Sequence, residues 1–138
     1  MFYDAKYSYR FWRPVTAIRA ADTGNPALVG DPNWTPLANT AQDPSYPGAH
    51  AVISSAAATV LGSFFGGDSF KFTAQSTALP GVERSFTSFS AAANEASLSR
   101  IYAGQHFRTD EDAGQKLGSQ VAGYVLAKLL LTTGPTRG

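Results

Sequence analysis

Apolar positions recur every three to four residues along most of this chain, broken by one long stretch in which no period holds. Tyr3, Tyr7 and Phe11 share a stripe with Lys6, Arg10 and Arg13 on the other side, which predicts an aromatic helix over 3–13. Pro14 disfavours the α conformation at Arg13 and can itself open a further turn from Val15 to Ala21. Residues 22–47 hold five of the eight prolines with Gly24, Asn25, Gly30 and Asn33, and read as a long loop rich in turn chemistry. Ser45 as cap and Pro47 in the first turn predict a second main helix to about Phe65, small and apolar in its body and stopped by Gly66-Gly67. Residues 68–84 read as loop with a short extended piece. An Ala-rich helix follows from Ser85 or Phe86 to Ala103, ending at Gly104. The last helix is capped by Thr109, carries Asp110, Glu111 and Asp112 in its first turn, and reaches about Leu131 before a frayed tail, 132–138.

The fold class expected is therefore all-α: a single domain over 1–138, a bundle of about four main helices with a long Pro/Gly-rich loop. Trp12, Trp34, Phe11 and Phe107 are assigned to core or pocket wall, and Tyr102 and Tyr124 to the core. Arg10, Arg19 and Arg108 are read as surface charges. No internal repeat is present.

Composition narrows the function classes. With 138 residues and 43% apolar content the chain can bury a core. A net charge of +1 provides no global field for nucleic acid or anionic lipid. Absence of cysteine removes disulfides, thiolate metal sites and Cys nucleophiles. No apolar run approaches the ~18–20 residues that span a bilayer. The expectation is a soluble protein, secreted or periplasmic if a leader precedes it.

Charge is sparse, at 15% of residues, yet it gathers around the two histidines. Lys6 and Arg13 lie seven apart and share a helical azimuth. His50 opens a helix, where unpaired N–H groups and the dipole favour anions. Arg100 precedes His106 by six residues, and Asp110 follows it by four. Three fixed cations in one region call for an anion to neutralise them, and Arg forks suit tetrahedral or trigonal oxyanions. The residues alone thus predict a phosphate-like site between two imidazoles, one to attack or coordinate and one to move a proton.

Lys6-(six residues)-Arg13-Pro14, then Pro47-Gly48-Ala49-His50, then Ser99-Arg100-(five residues)-His106-(three residues)-Asp110 resembles the three-part signature of the vanadium-dependent haloperoxidases. These share fold and site with class A bacterial acid phosphatases and type-2 phosphatidic acid phosphatases. The flanks Phe11-Trp12-Arg13-Pro14-Val15-Thr16-Ala17-Ile18 and Ser99-Arg100-Ile101-Tyr102-Ala103-Gly104 look like the soluble haloperoxidase branch. The resemblance implies the C-terminal core of that fold. It also implies vanadate, or phosphate as its isostere, held by Lys6, Arg13, Arg100 and the backbone N–H groups of Gly48 and Ala49. His106 would be the vanadium ligand or the phosphatase nucleophile, oriented by Asp110, with His50 as acid–base partner opposite. Partners would be a small oxyanion with peroxide and halide, or a phosphoester.

Two departures stand out. The family pattern Pro-Ser-Gly-His reads here Pro47-Gly48-Ala49-His50, so a hydroxyl donor is missing, and Gly48→Ser is expected to raise anion affinity. Family members also carry further helices ahead of the lysine, whereas five residues precede Lys6 here. A short or truncated member is the expectation: a C-terminal portion, a minimal four-helix remnant, or a chain that completes its bundle as a homo-oligomer. Three readings follow: a haloperoxidase-like oxidoreductase, a soluble phosphomonoesterase on the same site, or an inactive helical remnant that binds an anion.

Overall fold

A computed structural model describes residues 2–20 and 24–129; the expected helix ends at Ala21 and Leu131 and the expected frayed tail, 132–138, lie outside the described residues. The order of elements is α1 (Phe2–Tyr9), α2 (Pro14–Ala20), α3 (Ala49–Phe64), β1 (Phe72–Ser76), β2 (Leu79–Phe86), α4 (Phe89–Tyr102) and α5 (Arg108–Lys128). The bundle is formed by α3, α4 and α5, with α3 packed chiefly on α5 and then on α4. Among the described residues no helix is long and apolar enough to cross a membrane.

An antiparallel hairpin makes the fold more than all-α, correcting the expected class. β1 pairs with β2 from Phe72 opposite Phe86 to Gln75 opposite Glu83, with an irregularity at Gln75/Ser76. Alternating Phe72, Ala74 and Phe70-side aromatics favour this over loop, because Phe65, Phe70, Phe72, Phe86 and Phe89 stack together at centroid distances of 5.1–5.8 Å. Arg84 also reaches Glu95 on α4 through two hydrogen bonds, at 2.9 and 2.7 Å.

Helix starts differ from expectation for local reasons. The predicted 3–13 helix ends at Tyr9 because Arg10 takes a left-handed conformation (φ 49°), so Arg13 sits in the connection before Pro14. Ser45 caps nothing: α3 starts at Ala49 behind Gly48, without a side-chain cap. Ser85 and Phe86 belong to β2, and Ser88 caps α4 by accepting from the Ala91 N–H at 3.0 Å. Thr109 lies inside α5, whose start is fixed by Asp110 Oδ2 accepting from the Phe107 N–H at 3.0 Å. Tyr102 and Tyr124, assigned to the core, are 75% and 64% exposed.

α5 approaches α3 through glycines one turn apart. A Cβ at Gly118 would lie 2.1 Å from the Val52 carbonyl oxygen, and one at Gly114 would lie 2.5 Å from that of Gly48. This closeness lets Ser55 Oγ donate to the Gln115 carbonyl at 2.9 Å across the seam. Gln115 Nε2 then ties α5 to α4 through Asn94 and Ser97. The loop 24–48 is pinned as well: Leu37 N–H donates to Ala103, Gln105 Nε2 donates to Ala38, and Trp34 rests on Gly104. That docking presents residues 43–48 to α1 and to the start of α5.

Candidate functional site

Two anchored cations form one wall of the site. Lys6, fully buried on α1, donates from Nζ to the carbonyls of Pro44 (2.5 Å) and Ser45 (3.1 Å) and pairs with Asp43 Oδ2 at 3.0 Å. Arg13 donates from Nε to the Asp43 carbonyl (3.0 Å), from Nη1 to the Gln105 carbonyl (2.9 Å), and from Nη2 to Asp43 Oδ1 (3.1 Å). Burial lowers the pKa of both cations, against the pull of Asp43. Burial would raise Asp43, but the hydrogen bond and charge of Lys6, with the charge of Arg13, hold its carboxyl below the ordinary value.

Behind this wall sits His106, 4% exposed. Its Nε2 lies 3.1 Å from Arg13 Nη1, which can only donate. Its Nδ1 faces Asp110 Oδ2 at 3.3 Å, and Asp110 also accepts from Ser45 Oγ at 2.5 Å. These partners assign the neutral tautomer with the proton on Nδ1 and a lone pair on Nε2. Burial lowers the His106 pKa, opposed by Asp110 and reinforced by Arg13 and Lys6. Asp110 stays below the ordinary carboxyl value despite burial, through hydrogen bonds from His106, Ser45 and the Phe107 backbone.

Arg100 ends α4. Its Nε is buried with no hydrogen-bond partner among the described residues, and its charge acts on Arg13, His50 and Glu111. His50, the second residue of α3, is exposed, and its pKa is lowered by partial desolvation, then by Arg100, His106 and Lys6. Gly48 departs from expectation: its N–H, expected to face an anion, donates to the Asp110 carbonyl at 2.8 Å. Ala49 begins α3 directly after it.

The structure therefore brings Lys6, Arg13, His106 and Asp110 into one hydrogen-bonded cluster, with Arg100 and His50 coupled to it by charge. Four participants escaped the sequence reading. Asp43 has no sequence signal beyond its place in the loop before the motif, Ser45 predicts a helix cap, Gln105 carries no signal, and Glu111 predicts only a first-turn charge. Glu111 is 1% exposed, both its carboxyl oxygens lack hydrogen-bond partners among the described residues, and Oε1 stands 3.8 Å from His106 Nδ1. Burial, then the charge of Asp110, raises its pKa to about 7.

Glu111 gives stability a pH signature. Its folded-state pKa lies above the unfolded one, so its contribution is full below about pH 4.5 and is lost as pH rises to about 7. His50 and His106, with lowered values, act in the opposite sense as pH falls through their ordinary range. Comparison with Glu111→Gln isolates the carboxyl. By urea unfolding, the variant should gain on the wild type by an amount that grows between pH 4.5 and 7, reaching on the order of 3 kcal/mol. A constant difference across that range would refute the assignment.

The same side chain changes the outlook for Gly48. A Cβ there would lie 2.2 Å from Glu111 Oε1 and 2.7 Å from its Cδ. Gly48→Ser alone should therefore push the buried carboxyl aside at a cost of about 1–3 kcal/mol instead of simply adding a donor. In a Glu111→Ala background the cost should vanish, and a double-mutant cycle in urea measures the coupling.

The donor set suits an anion. Arginine and lysine N–H groups converge beside an imidazole lone pair, and no group of three His, Asp or Glu placed for a metal cation occurs among the described residues. A cavity of about 740 Å³ between α3, α4 and α5, lined by Ser55, Thr59, Asp68, Asn94 and Gln115, lies apart from this cluster.

Residues 1–133 match the family model described as the VCPO second helical-bundle domain. Among solved structures, a bacterial vanadium-dependent iodoperoxidase is 37% identical over 91% of this chain, with a TM-score of 0.78. A bacterial vanadium-dependent chloroperoxidase in its holo form aligns at 23% identity over 87% of the chain with a TM-score of 0.70, which speaks to the fold alone. The chain spans 29% and 30% of the length of these two proteins. No curated protein matches it significantly.

Proposed function

This chain belongs to the vanadium-haloperoxidase superfamily, matching its second helical-bundle domain, and from that premise we propose that the cluster around His106 holds vanadate for peroxide-dependent halide oxidation. The observation that carries the reading is the posture of His106. Its Nδ1 proton is directed at Asp110 Oδ2, while the Nε2 lone pair faces the cationic wall and accepts from Arg13 Nη1 at 3.1 Å, the bond a guest would replace.

Lys6, Arg13 and Arg100 would hold the guest's oxygens, and His106 Nε2 would be its ligand. Bound vanadate would supply Lewis-acid activation of peroxide toward halide. Arg100 is the donor best placed to respond, since its buried Nε leaves a hydrogen bond unmade, a state that costs about 1–3 kcal/mol until a guest accepts it. Asp110 and Ser45 keep the ring from turning. His50 is exposed, and partial desolvation followed by the charge of Arg100 lowers its pKa, which favours the neutral imidazole; it would be the group to exchange a proton with the substrate. The likeness to an iodoperoxidase makes iodide the first halide to test.

The same donors would stabilise a phosphoryl group in transfer, with His106 Nε2 as nucleophile, so a phosphomonoesterase is the second reading. Iodide and bromide oxidation with orthovanadate and hydrogen peroxide, run beside p-nitrophenyl phosphate hydrolysis, separates them. Vanadate-dependent halide oxidation that Arg100→Ala removes supports the first reading. Hydrolysis without oxidation would replace it, and silence in both would leave an anion-binding helical remnant.

A further inference from the structure

We infer that Asp43 is a built-in competitor for the oxyanion: its carboxylate occupies the Lys6 and Arg13 donors that a guest needs, so guest binding and release of Asp43 form one exchange. The inference rests on the reading of this cluster as an oxyanion site. It deepens that reading by naming the residue that sets the site's affinity.

Three observations carry it. The two oxygens of Asp43 are divided between the two cations, Oδ2 on Lys6 at 3.0 Å and Oδ1 on Arg13 Nη2 at 3.1 Å, the contacts that two oxygens of a small oxyanion would make. Its single negative charge offsets one of the three fixed positive charges from within while occupying donors on two of them, which lessens the expected need for a bound anion.

The cations, moreover, do not depend on this carboxylate for their posture. Lys6 is also held by the carbonyls of Pro44 and Ser45, and Arg13 by those of Asp43 and Gln105. Withdrawal of the side chain would leave the donors standing and their charge uncancelled. Finally, the carboxylate is the accessible partner: its side chain is 25% exposed, against 0% for Lys6 and 8% for Arg13. It lies on the docked loop, and a turn of its own side-chain torsions would free both donors without moving the backbone carbonyls.

These facts fix the direction of effect. A residue that positioned the cations would weaken binding when removed, whereas a competitor strengthens it. Calorimetric titration of the wild type, Asp43→Asn and Asp43→Ala with orthovanadate, and separately with inorganic phosphate, tests this. Both variants should bind about tenfold more tightly, the scale of one charge-assisted hydrogen bond returned to the guest. Their melting temperatures should also rise more on adding either anion than that of the wild type. Circular dichroism verifies that both variants fold, and Asn keeps the shape of the side chain if Ala perturbs the loop.

Equal or weaker binding in folded variants, with the wild type binding normally, would overturn the competitor role and leave the site reading intact. Failure of wild type and variants alike to bind either anion would overturn both.

Discussion

Replacing His106 by alanine is expected to lower vanadate-dependent halide oxidation at least about a thousandfold, because it removes the lone pair that would hold the guest. Phosphomonoester hydrolysis, if that is the activity found, should fall equally. The fold should survive. Asp110 keeps its bonds from Ser45 Oγ and the Phe107 N–H, and Arg13 keeps the Gln105 and Asp43 carbonyls. A loss of roughly 1–2 kcal/mol in urea unfolding is the scale of the hydrogen bonds given up. Steady-state rates and unfolding curves on the same preparation check both halves. Residual activity within tenfold of wild type would place the chemistry on another residue.

The second large effect is structural. Gly118→Ala should cost more than about 3 kcal/mol, because the new methyl has nowhere to go. It would meet the Val52 carbonyl oxygen at 2.1 Å and Ser55 Oγ at 2.2 Å, where real Cβ atoms essentially never come within 3.0 Å. Backbone blocks it on one side, so α3 and α5 must part, and the Ser55 bond to the Gln115 carbonyl is strained with them. Gly123→Ala on the same helix meets nothing within 4 Å and should instead stabilise by about 0.5–1 kcal/mol. Urea midpoints compare the two directly. A Gly118→Ala variant within 1 kcal/mol of wild type would mean that the helix seam is more yielding than its geometry shows.

Much of this was legible in the chain because it depends on local chemistry or on spacing. The last two helices follow from Ala-rich periodicity and an acidic first turn, and motif spacing already groups Lys6, Arg13, His106 and Asp110, which the fold brings into one cluster. The hairpin was not legible, since its strands are short, largely exposed and interrupted by Pro80-Gly81. What makes it a hairpin is a distant aromatic cluster centred on Phe89. Asp43 and Ser45 were invisible as site residues for a different reason. A lone carboxylate or hydroxyl in a Pro-rich loop carries no period, and the meaning of each comes from where docking of Trp34 and Leu37 sets the loop down. Glu111 was read correctly as part of a helix start, yet its burial depends on position 48 having no side chain, a fact held on another helix.

That last pairing restricts the paths by which this site can change. A side chain at position 48 is costly while a glutamate stands at 111, whereas a shorter residue at 111 would leave it room. Of the two single steps that lead to the exchanged pair, one passes through a crowded intermediate and the other through a roomy one. Stepwise divergence, in the laboratory or in nature, is therefore biased toward a change at position 111 before one at position 48.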